Sequence, residues 1–108
     1  MLDKLEAIKL RRDDVERELT NPEVTQDMKR FAQLNREYKE LGLIVDEYYK
    51  YKNVISNIDA NRDILANEKD QELREMAKEE LDTLVPLKDE MEAKIRLMLV
   101  PKDPGDEK

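Results

Sequence analysis

Several residue types that build catalytic and metal sites are missing from this chain of 108 residues. It has no cysteine and no histidine, which excludes disulfides and thiolate zinc sites and removes the commonest general base. Its two glycines, Gly42 and Gly105, are too few and too far apart to form a phosphate-binding loop. Long apolar runs are also absent, and the chain is charged from Asp3 onward, so we expect neither a secretory signal nor a membrane span.

The chain is rich in charged residues. Charged residues make up 44% of it and apolar residues 39%, a balance typical of long helices or coiled coils that pack along a narrow apolar seam. The net charge is −7, so the chain would gain little from the counterion release that drives binding to nucleic-acid phosphates. We therefore expect a protein partner, or a small basic patch, rather than a broad nucleic-acid surface.

Apolar residues recur at short helical intervals in three blocks, which predict helices over about residues 2–19, 26–66 and 71–99. The rhythm of the first helix lapses at Arg11–Arg12, and that of the second lapses at Arg62. The predicted apolar stripe of the second helix is Met28, Phe31, Leu34, Tyr38, Leu41, Ile44, Tyr48, Tyr51, Ile55, Ile58 and Leu65. That of the third helix is Leu73, Met76, Ala77, Leu81, Leu84, Leu87, Met91, Ile95 and Met98.

Capping residues are present at the predicted helix ends. Asp3 and Glu6 are expected to form a capping pair at the start of the first helix, and Thr25 to cap the second. Asn67 is expected to follow the second helix in a left-handed conformation, and Asp70 to cap the third.

Prolines and a glycine modify these helices. Pro22 disfavours a helical residue before it, so the first helix should end there, and Pro101 should likewise end the third helix at Val100. Gly42 lies inside the second helix and indicates a close helix crossing or a mild bend. Pro86 lies inside the third, but the apolar stripe keeps its phase on both sides, so we predict one kinked helix rather than two.

The helix lengths and short connections define the expected fold. The second helix should be about 60 Å long, and helices joined by short links pack antiparallel. We therefore predict an all-α fold, an antiparallel three-helix bundle or coiled-coil-like arm with one long central helix. Residues 1–100 would form this helical domain, and residues 101–108, which contain two prolines and a glycine, would begin a linker to something further.

The acidic side chains, which could act in catalysis, are better explained by roles in helix stability and solvation. The many carboxylates are expected to lie on solvated helix faces and to pair with Lys and Arg three and four residues away. Asp103, Asp106 and Glu107 surround a glycine but lack the spacing of a calcium loop.

The aromatic side chains of the second helix invite two interpretations. Together with nearby Lys and Arg they could stack on nucleic-acid bases. Tyr38, Tyr48 and Tyr51 fall on the apolar stripe, however, so core packing is the better explanation. Tyr49 points elsewhere and is kept as a candidate surface contact.

The order and spacing of three segments resemble those of bacterial peptide chain release factors. The segments are "NREYKELGLIVDEYYKYK" (residues 35–52), "DQELREMAKEELDTL" (70–84) and "LMLVPKDPGDEK" (97–108). Over essentially its whole length, the chain resembles the N-terminal helical domain of that family. The last segment is more similar to the release factor 1 branch than to its sister, release factor 2.

This resemblance implies a role in ending translation. Full-length members of the release factor 1 branch read the stop codons UAG and UAA through a Pro-x-Thr tripeptide. They trigger hydrolysis of peptidyl-tRNA through a Gly-Gly-Gln loop. This chain contains neither motif, so we expect that it neither decodes nor hydrolyses and is not an enzyme by itself. The family's N-terminal domain contacts the ribosomal stalk base, which consists of ribosomal protein and large-subunit RNA, and takes part in the interplay with the GTPase that recycles release factors. The resemblance also implies a cytoplasmic location.

Helical turns are the candidate contact regions, because they are exposed and little constrained by packing; the alternative is that both are simply connections. One is the turn at Asn21–Thr25 and the other is the turn at Asn67–Asp70. With the tyrosine kept above, the candidate partner-contact residues are Asn21, Pro22, Glu23, Tyr49, Asn67, Glu68, Lys69 and Asp70.

Two other functions are alternatives to this interpretation of the sequence. The chain could be a free-standing helical adaptor or coiled-coil module whose seam pairs with another chain, which predicts a dimer. It could also be an enzyme, which the absence of His, Cys and pocket-forming loops disfavours. We predict a monomer with no cofactor, no metal ion, no small-molecule substrate and no membrane partner.

Overall fold

The fold is built from helices joined by short connections. A computed structural model describes residues 1–100, so the predicted linker at 101–108 lies outside the described residues. The helices are α1 (Leu2–Leu19), α2 (Pro22–Thr25), α3 (Met28–Asn67) and α4 (Gln71–Leu99), and residues 1–100 contain no strand. The predicted all-α fold with one long central helix is therefore confirmed, with α3 as the 40-residue central helix.

The connection between the first two predicted helices differs from the expectation. Residues 22–25 form a one-turn helix, α2, and α3 begins at Met28 rather than near residue 26. Asn21 is extended (ψ 123°) as its position before a proline requires, and its side chain accepts a hydrogen bond from the Glu23 backbone N–H at 3.0 Å. Pro22 suits the first helical position because it has no N–H to leave unpaired.

The predicted caps at the starts of the first two predicted helices are wrong. The α1 helix starts at Leu2 with no side-chain cap, so Asp3 and Glu6 do not form a capping pair. Thr25 ends α2, and the side chain of Asp27 instead accepts the Arg30 N–H at 3.2 Å at the start of α3. The start of α3 lies at Met28 rather than near residue 26, and the capping position moves with it.

The caps around the last connection give one correction and one confirmation. Asn67 is the last residue of α3, and no residue of 1–100 has a positive φ, so the predicted left-handed conformation is wrong. Asp70 caps α4 as predicted, since its Oδ1 accepts the Glu72 N–H at 3.0 Å. The α4 helix runs unbroken through Pro86 and ends before the extended Val100 (ψ 124°), which confirms a single helix.

The chain divides into two compact units, and the first is Met1–Tyr48. Three contacts show that α1 runs antiparallel to the first part of α3, because the partner numbers rise on one helix as they fall on the other. They join Glu18 to Arg30, Arg11 to Glu37 and Glu6 to Tyr48. The core of this unit contains Val15, Val24 and Leu34, with Leu19, Tyr38 and Leu41 packed against them.

The second unit is Tyr49–Lys108, described as far as residue 100. It contains the rest of α3 and α4, joined by the three-residue link 68–70. The hydroxyl of Tyr51 reaches Glu92, 41 residues further along the chain, as expected for two helices that fold back on each other. Its buried side chains are Tyr51, Val54, Ile58, Asn61, Ala77, Met91 and Ile95.

The predicted apolar stripe of α3 is correct in its middle and wrong at several positions. Tyr48 and Tyr51 are buried as predicted, but the stripe omitted Val45 and Val54, which are also buried. Near residue 62 the buried position belongs to Asn61, whose side-chain amide donates to the Asn57 carbonyl. A buried helix face is wider than one row of residues, so neighbouring rows also contribute.

The ends of the stripes are more exposed than predicted. Met28, the first residue of α3, is 84% exposed, and Met76 near the start of α4 is 61% exposed. Leu73 and Leu87 of α4 are also exposed. Periodicity alone identifies which face is apolar but does not fix how much of that face has a neighbour to pack against.

Candidate interaction sites

The turn at Asn21–Glu23 is a polar surface next to a residue that is buried in the core. Asn21, Pro22 and Glu23 are all exposed, whereas the next residue, Val24, is almost completely buried in the core of the first unit. The side-chain oxygen of Asn21 is occupied by the Glu23 N–H. The turn therefore has a fixed conformation and presents one carboxylate, that of Glu23, to a partner.

The turn at residues 67–70 is organised by its own side chains. The Oε1 atom of Glu68 accepts the backbone N–H groups of Lys69 and Asp70, each at 3.1 Å. The side chain of Asn67 donates to Asp63 at 2.7 Å. Lys69 is exposed and carries the one positive charge of this turn, between the carboxylates of Glu68 and Asp70.

Tyr49 lies on the surface, and the structure does not bring it together with the turn of its own unit. Its side chain is 50% exposed, in contrast to the buried Tyr48 and Tyr51 on either side. It precedes Asn67 by 18 residues on the same helix, a distance of about 27 Å along the axis. These residues form separate candidate contacts rather than one site.

Sequence reasoning did not find a cleft in the first unit. It has a volume of about 410 Å³ and is lined by one α1 residue, Arg12, and six α3 residues: Tyr38, Lys39, Glu40, Gly42, Leu43 and Asp46. The Arg12 guanidinium lies 4.7 Å from the centre of the Tyr38 ring, and its Nη2 donates to the Tyr38 hydroxyl at 3.4 Å. We call this feature the Arg12 cleft.

The backbone at Gly42 lies close to the Arg12 guanidinium. A Cβ atom at position 42 would lie 3.3 Å from Nη2 of Arg12, closer than ordinary van der Waals contact. The sequence predicted a close helix crossing or a mild bend at Gly42, and the neighbour found there is the Arg12 side chain. Two features of the sequence, the lapse in rhythm at Arg11–Arg12 and the glycine inside a helix, were the available signals, but only packing shows that they belong together.

The neighbouring Arg11 has a different environment. Its Nε donates to Oε1 of Glu37 at 2.7 Å and its Nη2 donates to Oε2 at 3.1 Å, a two-bond pair that raises the pKa of Arg11 through the hydrogen bond. A further oxygen, of Glu18, lies 3.8 Å from Nη1. Arg11 therefore links α1 to α3 within the first unit.

Two tyrosine–carboxylate hydrogen bonds also join helices. Tyr48 donates to Glu6 at 2.5 Å in the first unit, and Tyr51 donates to Glu92 at 2.6 Å in the second. Burial and the bond to Glu92 raise the pKa of Tyr51 to about 12, and the same bond lowers the pKa of Glu92. A lowered pKa keeps Glu92 ionised at neutral pH, the opposite of what a general acid requires.

Neither a metal-binding cluster nor a membrane-spanning helix is present among residues 1–100. Within residues 1–100, no three His, Cys, Asp or Glu side chains are grouped so that they could hold a metal ion. The same residues contain no helix that is long and apolar enough to span a membrane. The acidic residues considered for a calcium loop, at 103–107, lie outside the described residues.

Comparison with known families identifies the chain. The model of the PCRF domain family matches residues 8–108. The chain belongs to this family. The resemblance noted from its sequence segments is thereby confirmed for the PCRF domain as a whole.

Similar proteins from several bacteria agree with this assignment. The chain is 53% identical to peptide chain release factor 1 of Cytophaga hutchinsonii, and 43% identical to the proteins of that name from Amoebophilus asiaticus and Lachnoclostridium phytofermentans. Each match covers all 108 residues of this chain and 30% of the relative, so the PCRF domain described here spans about a third of those proteins. No solved structure matches the chain.

Proposed function

We propose that this PCRF domain belongs to a release factor 1 that ends translation at the stop codons UAG and UAA. The observation that carries the proposal is the 53% identity to a peptide chain release factor 1 over the full 108 residues. Chance likeness between charged helices does not extend over a whole chain with the order of its segments preserved. The site of action would be the ribosome, in the cytoplasm.

Within such a factor, we propose that the domain docks on the base of the ribosomal stalk and supplies no chemistry. The absence of Gly-Gly-Gln and Pro-x-Thr from the sequence supports a role apart from decoding and hydrolysis. The net charge of −7 favours contact with the protein part of the stalk base over its RNA. The GTPase that recycles release factors is a second proposed partner.

The contact would be made by the exposed turns, with Tyr49 as an additional surface residue. Fixed turns lose little conformational entropy on binding, which favours the turns at Asn21–Glu23 and 67–70 as docking elements. In the second turn, the exposed Lys69 carries the one positive charge and is the proposed charged contact.

A competition experiment tests the docking proposal. Excess 108-residue chain is added to ribosomes that carry a stop codon and peptidyl-tRNA, and release by the intact factor is measured. We expect slower release with rising amounts of chain, and no release from the chain alone. Unchanged release at saturating chain would reject docking by this domain.

Charge reversal separates the turn from the rest of the domain. Lys69→Glu should weaken the competition, because it reverses the charge that the turn at 67–70 offers. Lys78→Glu makes the same charge change at an exposed position within α4 and serves as the matched control. Equal effects of the two variants would remove the turn from the proposed contact surface.

We also propose that the domain is a monomer, and its mass in solution tests this. Light scattering should give the mass of one 12.8 kDa chain at every concentration. The exposed Leu73 and Met76 on α4 are the residues through which a second copy would pack. A mass that doubles with concentration would favour the adaptor or coiled-coil alternative.

A further inference from the structure

The Arg12 cleft contains a guanidinium whose described contacts are to an aromatic ring. The ion pairs Arg11–Glu18, Arg11–Glu37, Arg17–Asp14 and Arg30–Glu18 of the first unit do not include Arg12. Its recorded interactions are the stacking on Tyr38 and one long hydrogen bond to that hydroxyl. Its Nε atom is buried and has no acceptor. The adjacent Arg11, by contrast, is fully used within the fold.

The guanidinium is held in place rather than left free. The Tyr38 ring covers it at 4.7 Å, and the helix at Gly42 lies close enough that a methyl group there would press on Nη2. A side chain fixed in this way loses little entropy when a ligand binds. Arg12 is partly exposed, so a ligand can reach its Nη groups, although the buried Nε is closed to direct contact. A carboxylate at the Nη groups forms charge-assisted hydrogen bonds, which are stronger than neutral ones.

The chemistry of the lining distinguishes between anionic ligands. A planar guanidinium matches a carboxylate, and it also matches a phosphate. The cleft, however, is lined by two cations, Arg12 and Lys39, and by two anions, Glu40 and Asp46, so it offers no net positive charge to a nucleic acid or a phosphate dianion. A carboxylate carries one charge and pairs with one planar guanidinium through two hydrogen bonds, so it matches Arg12 better than a dianion does.

Leu43 adds an apolar element to the same cleft. Its side chain is 64% exposed and lines the cleft with Arg12. An apolar side chain beside a fixed guanidinium suits a peptide segment in which an aliphatic residue is adjacent to an acidic one. The volume of about 410 Å³ is sufficient for side chains of this size.

We propose that the Arg12 cleft binds a carboxylate side chain of a protein partner, presented beside an aliphatic residue that packs on Leu43. The proposal is independent of docking at the stalk base, since the cleft includes none of the turn residues or Tyr49. It assigns Arg12 to partner recognition, with Tyr38 and Gly42 as positioning residues.

Nuclear magnetic resonance of the 108-residue chain tests this directly, because the Nε–H group of an arginine gives its own signal. The probe is a blocked dipeptide, N-acetyl-leucyl-glutamate N-methylamide. The matched control is the same compound with glutamine, which has nearly the same shape and no charge. We expect the Arg12 Nε–H signal to move saturably with the glutamate probe, and at least threefold less with the glutamine probe, while the Arg11 signal stays in place.

Two further measurements keep the proposal falsifiable. Arg12→Lys retains the charge but not the planar fork, and should weaken binding of the probe about tenfold, as followed by the Leu43 methyl signals. Gly42→Ala should also weaken binding, because its methyl group displaces the guanidinium by a few tenths of an ångström. Circular dichroism confirms that each variant remains helical.

Several results would overturn the proposal. An equal response to the glutamate and glutamine probes would show that charge is not recognised. Inorganic phosphate that moves the Arg12 signal at lower concentration than the glutamate probe would identify the cleft as a phosphate site. A signal that responds to no probe would assign Arg12 to stacking on Tyr38 alone.

Discussion

The phenolic hydroxyl of Tyr51 donates a hydrogen bond of 2.6 Å to Oε2 of Glu92, and so links α3 to α4 in the second unit. Tyr51 is only 4% exposed, whereas Glu92 is partly exposed. Glu92 also forms an ion pair with Lys88, whose Nζ lies 3.7 Å from Oε2 of Glu92. A tyrosine suits this position because its apolar ring can be buried while its hydroxyl forms a hydrogen bond with a charged group.

Removal of this hydroxyl should destabilise the fold. We expect Tyr51→Phe to lower the free energy of unfolding by about 1–2 kcal/mol, because a hydrogen bond to a charged group is lost while the ring stays buried. Urea denaturation followed by circular dichroism measures the change. Ser56→Ala, which removes an exposed hydroxyl from the same helix, is the control and should cause no loss of stability. Equal losses would show that the Glu92 bond contributes nothing specific.

The same pair predicts how stability depends on pH in alkali. The pKa of Tyr51 is about 12 in the folded state, above its ordinary value of 10.0, so the protonated hydroxyl is favoured by folding. Its contribution is complete below pH 10 and is lost as the pH rises toward 12. The difference in unfolding free energy between the wild type and Tyr51→Phe should therefore be constant between about pH 5 and pH 10 and shrink above pH 10. A difference that stays constant up to pH 12 would contradict the assignment.

Acid should act on the other partner of this bond. The pKa of Glu92 in the folded state lies below its ordinary value of 4.5, mainly because of the bond from Tyr51. Its contribution is present above pH 4.5 and is lost as the pH falls through the folded-state value. Glutamine cannot ionise, so the free energy of unfolding of Glu92→Gln should fall less than that of the wild type as the pH is lowered below 5. Acid titrations of both proteins that run parallel would refute this.

The cap at the start of α4 has a measurable effect. Asp70→Ala removes the acceptor of the Glu72 N–H and should cost about 1 kcal/mol of stability. Asp59→Ala removes the same carboxylate from an exposed position inside α3, and should have an effect near zero or slightly favourable. Thermal unfolding of both variants gives the comparison, and a larger loss for Asp59→Ala would reverse the interpretation.

The proline inside α4 should be a weak point of that helix. Pro86 is exposed and lacks the N–H that a residue of a continuous helix donates. We expect Pro86→Ala to raise the free energy of unfolding by about 1–3 kcal/mol. Hydrogen exchange should become slower in the turns on both sides of residue 86. A loss of stability would indicate that the neighbouring side chains require the proline.

The sequence by itself determined the secondary structure almost completely. Apolar residues at helical spacing predicted α1 and α4 to the residue, and a single α4 through Pro86, because periodicity and capping are local properties of the chain. The exceptions are also local in origin. The short helix α2 and the cap at Asp27 lie where a proline and several capping residues compete within seven positions.

Tertiary structure decided which of these residues act together. Nothing in the sequence pairs Arg12 with Tyr38 and Gly42, or Tyr51 with Glu92, since each pair joins helices through packing and is separated by 26 or more residues. Arg11 and Arg12 are adjacent and chemically identical, but one is committed to Glu37 and the other lines a cleft. Successive residues of a helix point about 100° apart, so their neighbours, and hence their roles, are fixed only when the helices pack.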